Sequence, residues 1–74
     1  MSHIRAVTSA ELLRALERLG FEPLRQKGSH VFLRNAHGRG AVVPTHSGQQ
    51  IGRGLLRKIL DETGVTYAEL DACL

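Results

Sequence analysis

Four consecutive residues, Lys27-Gly28-Ser29-His30, set a cation and an imidazole on either side of a flexible pair, at the mouth of a short apolar run. Histidine is the side chain whose ordinary pKa lies nearest neutrality, so His30 is the first candidate for proton transfer. A second histidine, His46, follows Val43-Pro44-Thr45. Two imidazoles with a lysine beside them suit scission of a phosphodiester bond in RNA. The ribose 2′-hydroxyl is then the nucleophile. The protein supplies a base, an acid, and cations or N–H groups for the charge that builds on the phosphoryl oxygens. DNA lacks that hydroxyl, so this chemistry selects RNA. It requires no metal and no cofactor. The plain reading stands beside it: a histidine at a strand end is ordinarily polar surface, and Gly28-Ser29 is ordinarily a turn.

The elements around these residues decide which reading the chain can support. Thr8-Ser9-Ala10-Glu11 has the form of a capping box, and Leu12, Leu13, Leu16 and Leu19 follow at helical spacing. Gly20 then stops the helix, and Phe21 can fold back on its last turn. The pattern predicts a helix over 9–19. A strand is expected near 22–26, starting late or lying at an edge because Pro23 donates no ladder hydrogen bond. His30 to Arg34 reads as a second strand, Asn35 to Gly40 as a polar loop, and Ala41 to Val43 as the return strand closed by Pro44. Ile51 to Thr63 reads as a second helix with Leu55, Leu56, Ile59 and Leu60 as its stripe. Gly52 and Gly54 weaken its first turn. Thr66 and Glu69 repeat the capping-box spacing and predict a short terminal helix.

The order is α-β-β-β-α. A three-stranded antiparallel sheet with both helices on one face buries both leucine stripes, so the fold class is α+β. The hairpin sets His30 opposite about Thr45. His46 and the glycine-bearing start of the second helix then share its corner, where helix N–H groups face anions. Lys27, Ser29, Arg53, Arg57 and Lys58 are the candidate RNA contacts. His37, in the polar loop, is read as surface.

Composition narrows the choices. The 74 residues make one domain, with its core over about 8–70. Such a chain buries only about 60% of its unfolded surface, so a partner or a second copy is a reasonable expectation. The formal charge is +3, and eight of the ten cations are arginine, whose planar fork suits phosphate. Three aromatic residues, Phe21, Phe32 and Tyr67, are too few for a platform that stacks a run of bases. Cys73 has no partner for an internal disulfide and is read as inert. No apolar run approaches membrane-spanning length and no signal-peptide core opens the chain, so the expected location is the cytoplasm.

Three stretches taken in order resemble one family: Arg25-Gln26-Lys27-Gly28-Ser29-His30, Val43-Pro44-Thr45-His46-Ser47-Gly48, and Gly54-Leu55-Leu56-Arg57-Lys58-Ile59-Leu60 with Gly64-Val65-Thr66 after it. They are similar to the HicA toxins, also described as YcfA-like, over roughly residues 8–70. The resemblance implies a fold like that of double-stranded-RNA-binding domains. It implies a toxin that cleaves mRNA in the cytoplasm without metal, and a HicB-like antitoxin that occludes the site. The family's essential histidine follows the Gly-Ser pair, here His30. His46 matches a histidine common after the Val-Pro step; its catalytic assignment comes from the expected hairpin register, not from the resemblance. Val31 stands where the family often has a second histidine or a basic residue. Gln49 and Gln50 stand where an acidic residue often precedes the second helix. The alternative is a module that grips duplex RNA and cuts nothing. A weaker one is a protein-interaction domain whose arginines face an acidic partner.

Overall fold

The computed structural model describes residues 5–45 and 50–74. In chain order the elements are β1 (Val7–Thr8), α1 (Ser9–Arg18), β2 (Glu22–Lys27), β3 (His30–Arg34), β4 (Gly40–Pro44), β5 (Gln50–Ile51), α2 (Arg53–Thr63) and α3 (Tyr67–Ala72). Strands β2, β3 and β4 form the antiparallel sheet in that order. Their alternation sends Val31, Leu33, Ala41 and Val43 to one face. There they join Leu12, Ala15 and Leu16 of α1 and Leu56, Ile59 and Leu60 of α2 in a single core. The α+β arrangement expected from the sequence is the one observed.

Helix α1 starts and stops on local signals. The Thr8 hydroxyl accepts from the Glu11 N–H at 3.1 Å, and the Glu11 carboxylate accepts from the Thr8 N–H at 3.0 Å. At the other end Gly20 takes a left-handed φ of 97°. The Phe21 N–H then reaches the Leu16 carbonyl at 2.9 Å, and the Gly20 N–H reaches Glu17 at 3.1 Å. This is a Schellman closure, and the buried Phe21 ring sits over it. Helix α3 repeats the reciprocal cap with Thr66 and Glu69.

These caps carry a pH dependence. Hydrogen bonds from the Thr8 backbone and the Arg5 side chain hold the Glu11 carboxyl below its ordinary value. The Thr66 N–H, and then its hydroxyl, do the same for Glu69. A carboxylate with a depressed folded pKa adds stability that is complete above its unfolded value. That stability is lost as the pH falls through the folded one. Stability should therefore decline as the solution is acidified below about pH 4.5, the ordinary glutamate value. Denaturant melts of Glu11→Gln and Glu69→Gln, which remove the titrating groups, should show a shallower decline across that range. Thr8→Ala and Thr66→Ala, which remove the capping hydroxyls and keep those backbone N–H groups, should each lose about 1 kcal/mol at neutral pH.

Three expectations need correction. Helix α2 begins at Arg53 and not at Ile51, because Ile51 pairs with Val7 in a two-stranded ladder, β1 with β5. Leu55 is 37% exposed and does not belong to the core stripe; Leu56, Ile59, Leu60 and Thr63 form it. His30 lies opposite Pro44, one residue short of the expected Thr45.

Strand β2 is an edge strand, as Pro23 required, and its register with β3 shifts between Pro23 and Arg25. The shift leaves Leu24 unpaired and 58% exposed. Gly40 starts β4 where a Cβ would collide with the Leu33 carbonyl oxygen, so only glycine lets the two strands close at that point.

Candidate functional site

Lys27 and His30 are cross-strand partners separated by a two-residue turn. Gly28 has a φ of 59°, and no described residue other than glycine has a positive φ, so the turn has the φ signs of type II′. Its glycine is therefore a backbone requirement of the hairpin. The turn is pinned at two points. The Gln26 side-chain amide donates to the Gly28 carbonyl at 3.1 Å. The Ser29 carbonyl accepts from the Thr45 N–H at 2.7 Å and from the Thr45 hydroxyl at 3.1 Å.

His30 follows this turn and precedes the buried Val31, so strand alternation sends its imidazole away from the core. The side chain is exposed and makes no hydrogen bond among the described residues. Lys27 and Pro44 share its face, one on each neighbouring strand. Further along, Phe32 lies between Arg25 and Val42, and then Arg34 between Glu22 and Gly40. The Arg25 guanidinium stands 4.7 Å from the centre of the Phe32 ring. The ion pair among the described residues joins Arg5 to Glu11 at 2.8 Å. No described carboxylate pairs with Arg25, Lys27 or Arg34.

The structure thus brings together three of the residues singled out in the sequence: Lys27, Ser29 and His30. Arg53, Arg57 and Lys58 are exposed on α2, which packs behind the sheet, on the face opposite His30. The last turn of α2 is fixed beside the 35–39 loop, where Arg39 Nη1 donates to the Glu62 carbonyl at 3.5 Å. Arg57 lines a groove with Thr66 and Tyr67 and does not face the sheet. A Cβ at Gly52 or Gly54 would meet nothing within 4 Å among the described residues, so packing against those residues does not explain either glycine. His46 lies outside the described residues. His37 sits in the loop as expected, with its N–H and that of Arg39 bound to the Asn35 side chain at 3.0 and 2.9 Å.

Sequence reasoning passed over Arg25, Phe32 and Arg34. The alternation of His30, Phe32 and Arg34 with Val31 and Leu33 would have shown that three residues of β3 share the open face. The bulge that brings Arg25 opposite Phe32 has no such signature. Among the described residues no three histidine, cysteine or acidic side chains gather in a way that could hold a metal ion. No helix there is long and apolar enough to cross a membrane.

No curated protein matches the chain. The model of one protein family does, described as the HicA toxin of bacterial toxin-antitoxin systems, over residues 9–65. That span runs from the first residue of α1 to the segment just past α2 and takes in the whole sheet, the Lys27–His30 turn included. On this match the chain belongs to the HicA toxin family of bacterial toxin-antitoxin systems.

Proposed function

We propose that this toxin is an endoribonuclease that cuts mRNA by intramolecular transesterification, with His30 as its proton-transfer residue. The observation that carries this reading is the pairing of His30 with Lys27 across a pinned turn, on an open sheet face lined with cations. A neutral His30 imidazole takes the proton of the ribose 2′-hydroxyl as that oxygen attacks phosphorus. The bond to the 5′-oxygen breaks, and that oxygen takes a proton from a general acid. The products are a 2′,3′-cyclic phosphate and a 5′-hydroxyl. Lys27 offsets the negative charge that gathers on the non-bridging oxygens. His46 is the acid in this scheme, since Thr45, its neighbour in sequence, is tied to Ser29. Ser29, Arg53, Arg57 and Lys58 are assigned to RNA contacts around it. A HicB-like antitoxin is the protein partner, and it acts by covering the face that carries His30.

Substrate chemistry tests the scheme directly. The purified protein should cut a single-stranded RNA in the presence of chelator and leave cyclic phosphate ends. A matched oligonucleotide with 2′-deoxyribose at every position should stay whole. Cutting of the deoxy strand would remove the 2′-hydroxyl from the mechanism. RNA that is bound with steep salt dependence and never cut would favour the non-catalytic duplex-binding reading.

A further inference from the structure

The Arg25–Phe32 pair plays no part in the scheme above, and its position calls for a role. Phe32 is two residues beyond His30 on the same strand and face, so the two lie roughly 7 Å apart along the sheet. The ring is half-buried, with Val42 beside it on β4. One face of the ring is covered by the Arg25 guanidinium at 4.7 Å. Arginine so held is a flat cation with its own plane free for stacking. The pair opens onto a shallow groove of about 580 Å³ whose lining includes Leu24, Arg34, Val42 and Glu62.

We propose that Arg25 and Phe32 form a base-stacking subsite that takes the nucleobase adjacent to the phosphate at His30. The ligand is single-stranded RNA, since a base within a duplex is stacked already and cannot enter. This rests on the ribonuclease reading and adds to it a position at which a base is gripped. Charge complementarity selects the occupant. Lys27 and Arg34 flank Arg25 and Phe32 along the face, with Glu22 across from Arg34 and Glu62 in the groove lining, and no described carboxylate forms an ion pair with these three cations. A backbone phosphate on each side of the stacked base meets a cation. One aromatic residue is enough here, because one base is held and not a run of them.

Binding measured without cleavage tests the proposal. The full chain with His30→Ala is titrated with short single-stranded oligoribonucleotides in which one abasic residue is walked along the strand. One position should be sensitive to loss of its base. Introducing Phe32→Leu or Arg25→Gln should weaken binding of the intact strand roughly 5- to 100-fold and abolish that sensitivity. Phe32→Leu keeps an apolar side chain at the half-buried position. Arg25→Gln alters an exposed one, so folding of at least this second variant is not at risk. With His30 restored, the same substitutions should raise KM more than they lower kcat. Affinity indifferent to the abasic residue at every position overturns the proposal, as do variants that bind like their parent. Weakened binding to a HicB-like antitoxin with RNA affinity unchanged would overturn it too, and give the face to a protein. Cleavage that survives a failed stacking test leaves the ribonuclease reading standing. Base-sensitive binding by a wild-type chain that cuts nothing defeats the ribonuclease reading and keeps the subsite. No RNA binding at all defeats both.

Discussion

Replacing His30 by alanine should leave a folded protein whose RNA cleavage is slower by about 10²–10⁴-fold, the usual contribution of one general acid or base. The fold should survive because the imidazole is exposed and holds nothing in place among the described residues. The turn that delivers it depends on Gly28, Gln26 and Thr45. Circular dichroism and thermal melting of the variant should therefore overlay the parent. Induced expression of the parent should arrest growth and deplete mRNA, and expression of the variant should do neither. A well-folded His30→Ala protein that still cuts RNA would end the proposal for this residue. Loss of toxicity with loss of fold would show instead that His30 is structural, contrary to its exposure.

Replacing Leu70 by alanine should remove a large share of the fold's stability and lower its denaturant midpoint. Leu70 comes from α3, beyond the segment that matches the family, yet it is fully buried in the common core. Removing a buried leucine down to Cβ costs about 2–5 kcal/mol, depending on how far the site can collapse. A chain of this size has only about 4–11 kcal/mol to lose. The terminal helix is tied to the body further by Arg18, which donates to the Cys73 carbonyl at 3.0 Å, and by the Tyr67 hydroxyl, which accepts from the Arg5 N–H at 2.7 Å. Denaturant midpoints measure the effect. Leu55→Ala is the control, because Leu55 is partly exposed and outside the core stripe. A Leu70→Ala midpoint no lower than that of Leu55→Ala would show that α3 is dispensable.

How much of this was legible in the sequence depends on how far each signal acts along the chain. Both capping boxes and the Gly20 closure lie within six residues of the turns they fix, and all three were read correctly. The β1–β5 ladder was not, because two residues cannot display alternation and Val7 finds Ile51 only after the intervening fold has formed. That same pairing took Ile51 out of α2. Leu55 was assigned to the core stripe because it lies four residues before Ile59. Leu56, Ile59, Leu60 and Thr63 already fill the i, i+3, i+4, i+7 face, and the residue before them falls outside it. The closeness of Lys27 and His30 was legible from the Gly28-Ser29 turn, but their cross-strand pairing was not, because the strand was expected to end near Gln26. The one-residue error on β4 arose across the longer 35–39 loop, where the hydrogen bonds of the Asn35 side chain set the geometry. The Arg25–Phe32 contact was hidden by the bulge at Leu24, which changes which β2 residues face which way.

The same outer strand governs how anything can approach the sheet. Pro23 offers no N–H, and the irregularity after it breaks the flat ladder that a docking strand would need. A partner arriving at this edge cannot extend the sheet across all of β2 through main-chain bonds, which are blind to sequence. Recognition along this edge therefore falls largely to side chains. Recognition of that kind changes with single substitutions, so the choice of partner at this edge can shift while the fold is kept.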